Sequence, residues 1–147
     1  MSYFNRSNDN GGINHPLPSH NHVGEYQQSS IPYVTASHAT TNGEEFEFPY
    51  VTRFLVITND TGADIKVGFT ANGLAAAPNP TKDARTENYM IIPTGVVTDR
   101  LEVKCKSVFV KGTFSSGNKF SILAGLTNVP ARTFPILSGS TGVEGIG

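Results

Sequence analysis

The stretch that most constrains the fold is Glu45–Thr70, reading EFEFPYVTRFLVITNDTGADIKVGFT. Two phenylalanines alternate with glutamates at its start, the period-2 pattern of a strand with one dry face. A β-branched and aromatic run follows over Val51–Thr58, then the turn residues Asn59–Gly62, then a second alternation over Ile65–Phe69. The pattern predicts two strands joined as a β-hairpin with a loop longer than two residues.

The residues after this stretch predict more short strands and no amphipathic helix. Val96–Val110 shows the clearest alternation, with Leu101, Val103 and Cys105 on one face and polar side chains on the other. Its phase breaks at Ser107–Val108, which predicts a bulge or a change of sheet. Other predicted strands are Asn88–Ile92, Phe120–Leu123 and an edge strand at Thr133–Leu137.

Two segments are expected to interrupt the strands. Ala71–Arg85 contains Pro78 and Pro80, which stop a helix almost at once, so a long surface loop is predicted. Gly125–Pro130 is expected to end the strand before it. Six to eight short strands with turns at fairly even spacing favour an all-β sandwich or barrel, and we predict a single antiparallel β-sandwich. A jelly roll and an immunoglobulin-like sandwich both fit the pattern.

The domain boundaries follow from composition. Residues 1–44 are rich in Asn, Ser, Gly, Pro, His and Gln, and their apolar residues come singly, without a helical or strand period. Ordering such a segment costs roughly 1–2 kcal/mol per residue and requires a surface to pack on. We therefore predict an extended N-terminal arm over 1–44, a sandwich domain over 45–138, and a Gly-rich polar tail over 139–147.

The totals exclude several classes of function. The chain has 147 residues, a net charge of -1 and one cysteine, Cys105. A charge near zero gives no general attraction to nucleic acid or to an acidic membrane. A single cysteine excludes an internal disulfide and a cysteine-based zinc site. No apolar run approaches the roughly 20 residues of a membrane helix, and no signal peptide is recognised, so a reducing compartment is expected.

The candidate catalytic residues do not form a recognisable site. All four histidines fall in the predicted arm, at positions 15, 20, 22 and 38, and only Glu25 could complete a metal site with them. A nucleophile in the sandwich would therefore lack a histidine base. Cys105 falls on an apolar strand face, where an inert buried thiol is expected. No phosphate-binding glycine loop occurs. We expect no catalytic, cofactor-binding or metal-binding residues, no cofactor, and no enzymatic activity.

One basic stripe and one apolar set complete the expectations. Arg100, Lys104 and Lys106 share a strand face that Glu102 interrupts, so a solvated face or an ion-paired protein contact is favoured over nucleic-acid binding. Four further apolar side chains are expected in the core: Phe54, Val56, Phe69 and Phe109.

Five short motifs carry a resemblance to a known family. In chain order they are VTRF at Val51, VGFTANG at Val67, NY at Asn88, LEVKCK at Leu101 and FSILAGL at Phe120. Their order resembles the small β-sandwich minor capsid proteins of large icosahedral double-stranded DNA viruses, over about residues 50–127. The resemblance implies a jelly-roll-like domain that cements or decorates major capsid capsomers. It assigns no binding residues and does not extend to the arm or the tail.

Two functions are therefore expected as alternatives. The first is a virion structural protein, assembled in the host cytoplasm, whose partners are the major capsid protein and other minor capsid proteins, with self-association as an option. The second is a non-enzymatic binding module, such as a fibre, spike or carbohydrate-recognising sandwich, using the loop Ala71–Arg85 and Tyr89. Neither expectation includes a small-molecule substrate for catalysis or a membrane span.

Overall fold

The computed structural model describes residues 18–74, 88–113 and 117–135. Its regular elements are seven strands, two short α-helices and one 3-10 turn. In chain order they are α1 (Val23–Gln27), β1 (Ile31–Ser37), β2 (Glu44–Glu47), β3 (Tyr50–Asp60), β4 (Ile65–Gly68), α2 (Ala71–Leu74), β5 (Tyr89–Ile92), β6 (Ser107–Gly112), β7 (Lys119–Pro130) and the 3-10 turn Ala131–Thr133.

The strands form two antiparallel sheets. The three-stranded sheet has the order β1-β7-β3, and the four-stranded sheet has the order β2-β6-β4-β5. Both sheets contribute to one buried cluster, in which Leu55 and Ile122 from the first sheet pack with Val67 and Val110 from the second. Two antiparallel sheets that share one core are compatible with the predicted all-β sandwich.

An extended segment, residues 96–106, runs along the second edge of β3. We call it the bridging segment. Backbone hydrogen bonds join Leu55 to Leu101 in both directions at 2.8–2.9 Å, and the amide of Thr52 donates to the carbonyl of Cys105 at 2.9 Å. The chain then enters the four-stranded sheet as β6 at Ser107. Of the two alternatives predicted at Ser107–Val108, a bulge or a change of sheet, the structure shows a change of sheet, because the bridging segment pairs with β3 and β6 pairs with β2; Val96–Val110 is not one continuous strand.

The predicted hairpin over Glu45–Thr70 is wrong, because its strands lie in different sheets. β3 belongs to the three-stranded sheet and β4 to the four-stranded sheet. The buried side chain of Asn59 holds the crossing: its amide donates to the carbonyls of Ala63 (2.9 Å) and Ile92 (2.8 Å), and its oxygen accepts from the amide (3.0 Å) and hydroxyl (2.8 Å) of Thr61. Turn chemistry in the sequence indicates the reversal but not which sheet receives the next strand.

Three other expectations need correction. The sequence predicts no strand before Glu45, yet β1 pairs with β7 along its whole length. The weak signal has a physical cause, since both faces of β1 carry small or apolar residues. Gly125–Pro130 does not break a strand, because β7 continues to Pro130. No strand begins at Thr133, which ends the 3-10 turn; residues 136–147, with the predicted tail, lie outside the described residues.

Two further fold predictions, a strand at Asn88–Ile92 and the alternation at the start of β2, agree with the structure. The strand predicted at Asn88–Ile92 is present as β5, and the alternation at the start of β2 places Phe46 against the core and leaves both neighbouring glutamates exposed. The segment Ala71–Arg85 begins with the single turn α2, and residues 75–87 lie outside the described residues. Within the described ranges, no helix is long and apolar enough to cross a membrane.

Candidate interaction surface

The outer face of the three-stranded sheet is the candidate site. Side chains on this face alternate with core residues, so Val56 lies between the buried Leu55 and Ile57, and Leu123 lies between the buried Ile122 and Ala124. Directly opposite residues of antiparallel strands point to the same face. The outer patch is therefore made of nine positions in three cross-strand rows: Pro32, Gly125 and Phe54; Val34, Leu123 and Val56; Ala36, Ser121 and Thr58.

No position in the outer patch carries a charge; the next row on the same face pairs Asp60 with Lys119. Several apolar side chains of the patch reach solvent. Val34 is 70% exposed and Leu123 is 39% exposed. Val97 of the bridging segment is opposite Thr58 and extends that row with another exposed valine. Strands that are apolar on both faces are typical of sheets that are covered on both sides. The outer patch therefore has the composition of a surface that another protein covers.

Phe54 and Arg100 form one border of the outer patch. The ring of Phe54 lies across Gly125, where an added Cβ would be 2.6 Å from the Cδ1 atom of the ring, so only glycine leaves room for it. The guanidinium of Arg100 stands over the same ring, with its carbon 4.1 Å from the centroid, and it also pairs with Glu102 at 2.7 Å. This border places one cation, already paired, beside an uncharged sheet face.

The N-terminal segment 18–28 forms another border. The ammonium of Lys104 lies 4.2 Å from the centroid of the Tyr26 ring, and the amide of Asn128 donates to a carboxylate oxygen of Glu25 at 3.1 Å. Arg53 donates to the carbonyl of Gln28. Burial, and secondly the nearby charge of Glu25, raise the pKa of Tyr26. These contacts attach the segment to the sheet beside the outer patch.

The outer face of the four-stranded sheet is different in character. One row holds Glu45, Phe109, Gly68 and Tyr89, and the next pairs Lys111 with Lys66 and Ile91. The ammonium of Lys66 is 4.3 Å from the centroid of the Tyr89 ring and donates to its hydroxyl at 2.9 Å. A groove of about 350 Å³ lies beside α2, lined by Asn42, Gly43, Glu45, Ala71, Leu74, Phe109 and Lys111.

The predicted basic stripe is only partly available to a ligand. Arg100 contacts Phe54 and Glu102, and Lys104 contacts Tyr26 and the carbonyl of His20 at 3.4 Å. Both cations are thus used within the chain. Lys106 is half-buried. The stripe forms part of the border of the outer patch and not a separate cationic surface.

Two of the histidines that the sequence singles out, His20 and His38, contact other parts of the chain. His20 stacks edge-on with Phe134, with centroids 6.1 Å apart, and the Nδ1 atom of His38 lies 2.8 Å from the carbonyl of Asn118. His15 lies outside the described residues. In residues 18–74, 88–113 and 117–135, no three His, Cys, Asp or Glu side chains come together as a potential metal site.

Cys105 is buried, as the sequence predicts. It is 2% exposed, and its sulfur lies 3.3 Å from the Thr52 hydroxyl, which donates to the carbonyl of Val103 at 2.8 Å and accepts from the Cys105 amide at 2.9 Å. Burial raises the pKa of the thiol to about 11, with the Thr52 contact acting in the opposite direction. The thiolate, the nucleophilic form, is therefore disfavoured at neutral pH.

The prediction that four phenylalanine and valine side chains are core residues is wrong for three of them. Phe54 and Val56 belong to the outer patch, and Phe109 lies in the groove beside α2; only Phe69 packs against the core cluster. The sequence contains one signal that identifies the outer patch: FLVIT in β3 and FSILAGL in β7 lack the polar alternation of a half-solvated strand.

Comparison with known proteins yields no relative. No family model matches the chain, and searches of curated proteins and of solved structures find no significant match. The fold thus defines the class only as an all-β protein of two antiparallel sheets. The resemblance to minor capsid proteins stays a prediction.

Proposed function

We propose that the chain is a virion structural protein, a minor capsid or cement component that binds other capsid subunits through the outer patch. The observation that carries the proposal is the outer patch, nine uncharged positions on the three-stranded sheet with Val34 and Leu123 exposed to solvent. Such a face favours contact with another protein surface over contact with water or nucleic acid. The capsid assignment within that class comes from the resemblance over residues 50–127.

The strand pairing supports a jelly-roll topology as part of this proposal. Counting the bridging segment as a strand between β5 and β6 gives eight strands. The first pairs with the eighth (β1 with β7), the second with the seventh (β2 with β6), the third with the sixth (β3 with the bridging segment) and the fourth with the fifth (β4 with β5). This is the pairing of one long hairpin rolled into two sheets, a topology used by viral capsid and lectin domains.

The proposed arm is narrower than the range 1–44. Ile31–Ser37 pairs with β7 of its own chain, and segment 18–28 contacts Arg53, Lys104 and Asn128. Contacts of these residues with their own sheets support assignment to the domain. Wrapping of neighbouring subunits is therefore proposed for residues 1–17 alone, which lie outside the described residues. The same proposal for the tail 139–147 rests on composition.

The test begins with particles of the virus that encodes the chain. Purified particles are analysed by quantitative mass spectrometry, and we expect the protein at a fixed ratio to the major capsid protein. Limited proteolysis then compares the free protein with the particle. Cleavage within residues 1–17 that is rapid in the free protein and suppressed in the particle supports wrapping. A protein that is missing from washed particles would overturn the proposal.

A matched pair of variants tests the surface itself. Leu123→Lys places a charge at the centre of the outer patch, and Ile91→Lys places one on the outer face of the four-stranded sheet, where Ile91 is 56% exposed. Burying an unpaired ammonium is costly, so Leu123→Lys should reduce incorporation into particles at least roughly tenfold. Ile91→Lys should leave it unchanged. Equal incorporation of both variants would exclude the outer patch as the binding surface.

The groove beside α2 favours a second candidate function, a non-enzymatic carbohydrate-binding module. It combines the Phe109 ring with the side chains of Asn42, Glu45 and Lys111, the mixture of one apolar ring and several polar groups that sugar sites use. Tyr89 is less suited than the sequence predicts, because Lys66 already occupies one side of its ring. Binding on a glycan array that Phe109→Ala abolishes would support this function, and a silent array would remove it.

A further inference from the structure

The strand β1 leaves one edge of the three-stranded sheet open. Among the described residues, its backbone is hydrogen-bonded only to β7, and no other strand lies beside it. The seven residues, Ile31–Ser37, carry no charged side chain. Edge strands in soluble proteins are normally protected from pairing by lysines, prolines, bulges or covering segments, and β1 has one such residue, Pro32. An uncharged open edge of this length is therefore suited to accept another strand.

Pro32 determines which backbone groups face the open edge. The ladder with β7 continues through Pro32 and Tyr33, although Pro32 has no N–H to donate. In an antiparallel pair alternate residues bond to the partner, so the residues bonded to β7 are the odd-numbered ones, Ile31, Tyr33, Thr35 and Ser37. The carbonyls of Pro32, Val34 and Ala36 and the amides of Val34 and Ala36 consequently face outward.

We propose that β1 pairs with β1 of a second copy of this chain, antiparallel, about a twofold axis at Val34. Val34 is the middle residue of the strand and its outward amide and carbonyl can exchange two hydrogen bonds with Val34 of the other copy. Each Ala36 amide donates to the carbonyl of the opposite Pro32. The four bonds need no donor from proline, and no like charges meet across the axis.

The dimer would join the two outer patches into one surface. Val34 lies at the open edge of the patch, so its row continues across the axis as Val56, Leu123, Val34 and then the same three residues of the other copy in reverse. From strand spacing and rise, the Cα atoms of one patch span about 10 Å across the three strands and about 14 Å along them, which is small for a stable interface. Doubling it gives an area closer to that of a specific protein contact.

Disulfide crosslinking tests the twofold axis directly, because the natural cysteine should not form a competing crosslink. Cys105 is buried and its pKa is raised to about 11, so it should not crosslink in the folded protein. In the proposed register the two Val34 Cα atoms are about 5.5 Å apart, within the range for a disulfide. The two Ala36 Cα atoms are about 14 Å apart, four residues out of register.

The full-length variants Val34→Cys, Ala36→Cys and Pro32→Cys are oxidised mildly and analysed on non-reducing gels. We expect Val34→Cys to give a covalent dimer and Ala36→Cys alone to give none. An equimolar mixture of Ala36→Cys and Pro32→Cys should give the mixed dimer. Crosslinking of Ala36→Cys as efficient as that of Val34→Cys would overturn the proposed axis.

Sedimentation equilibrium of the unmodified protein provides the second measurement. We expect a dimer with a micromolar Kd, and Val34→Lys should weaken it at least roughly tenfold because two ammonium groups would face each other. Val97→Lys, a charge on the opposite edge of the same sheet face, should not. A monomer at roughly 100 µM would overturn the proposal, as would equal weakening by both variants.

The outcome is separable from that of the proposed function. A protein that is dimeric through β1 but missing from particles would retain this inference and lose the capsid assignment. A protein that is incorporated into particles but monomeric, with no Val34→Cys crosslink, would retain the capsid assignment and lose the dimer. A strand from a different protein bound at β1 would also overturn the second-copy proposal.

Discussion

The two outer faces of the protein are built from similar strands but differ in charge. The four-stranded sheet presents Glu45, Lys66 and Lys111 on its outer face, together with two aromatic rings. The three-stranded sheet presents the nine uncharged positions of the outer patch, and its charged side chains lie at the borders, including Asp60 and Lys119 in the next row of the same face. Both faces belong to the same chain, so overall composition does not explain the difference.

The charged face shows what this chain does with a surface that faces water. There β2 and β4 alternate polar and apolar residues, as half-solvated antiparallel sheets do, while β5 and β6 place Ile91 and Phe109 among the charges. β3 and β7 abandon that alternation, and the result is the outer patch. Exposed apolar area of this kind has a cost in solubility, which a functional contact offsets. The comparison therefore favours the three-stranded face as the surface that binds a partner and the four-stranded face as the one that stays in solvent.

Asn59→Ala should cause the largest loss in the free energy of unfolding, because it removes the hydrogen bonds that hold the chain where it crosses between the two sheets. The carbonyl of Ile92 and the amide of Thr61 would lose their partner in a buried site, while the carbonyl of Ala63 would keep the Thr61 hydroxyl at 2.8 Å. We expect a loss of about 3 kcal/mol in the free energy of unfolding, measured by urea denaturation. Thr58→Ala, one residue away on the outer patch, serves as control and should cost less than about 1 kcal/mol.

If Asn59→Ala and Thr58→Ala destabilised the protein equally, the buried amide would not hold the crossing. The comparison of two fixed faces would then lose its structural basis, since β3 and β4 could not be assumed to keep their separate sheets.

High pH should reduce the stability of the interior through the buried thiol of Cys105. The thiol of Cys105 has a pKa of about 11 in the folded chain and 9.0 in the reference state. A raised folded-state pKa gives stability that is complete below pH 9 and is lost as pH rises toward 11. Two pKa units correspond to about 2–3 kcal/mol. The difference in unfolding free energy between the natural protein and Cys105→Ala should fall by that amount from pH 8 to pH 11. If the difference in unfolding free energy between the two proteins did not depend on pH, the raised pKa of Cys105 would be contradicted.

The sequence predicts the interior of this protein better than its surfaces. The burial of Cys105, the dry face of β2 and the sheet change at Ser107 follow from periodicity, because each has a polar neighbour that marks the other side. The outer patch was not predictable in the same way, since Phe54 and Val56 are as apolar as Leu55 and Ile57. Which of two apolar faces is buried depends on sheet pairing, and pairing involves residues far apart in the chain.

The same limit applies to the connections. Asn59–Gly62 has the residues of a hairpin turn, and only the strand pairing shows that β3 and β4 lie in different sheets. The sequence does not reveal β1 because its outward residues are apolar, which hides the alternation. Both errors of prediction, the hairpin and the missing strand β1, concern strands that form the outer patch and its open edge. Local pattern fails here because long-range contacts determine the structure.

Two glycine substitutions, one on each outer face, should compare the faces with smaller losses in the free energy of unfolding. Each outer face has a glycine beneath a covering side chain: Gly125 under Phe54, and Gly68 under Leu74. A Cβ at Gly125 would lie 2.6 Å from the Cδ1 atom of Phe54, whereas one at Gly68 would lie 3.1 Å from the carbonyl of Asn88 and 3.2 Å from Leu74. Gly125→Ala should therefore displace the ring and cost about 1–2 kcal/mol, and Gly68→Ala less than about 1 kcal/mol, in urea denaturation. A larger effect at Gly68 would mean that the Phe54 ring does not rest firmly on the sheet.

The smallest expected effects come from removing one cation on each face. Arg100→Met and Lys66→Met both lose a cation–π contact, with Phe54 at 4.1 Å and Tyr89 at 4.3 Å. At such solvent-accessible positions each change should alter the free energy of unfolding by less than about 1 kcal/mol.

The effects of the two substitutions on self-association should differ. Arg100→Met removes the cation bordering the outer patch and enlarges the uncharged surface, so sedimentation velocity should show more self-association. Lys66→Met leaves charged neighbours on its face, so its self-association should equal that of the natural protein. Equal association of the two variants would mean that charge does not distinguish the faces, and the outer patch would lose its claim to be the binding surface.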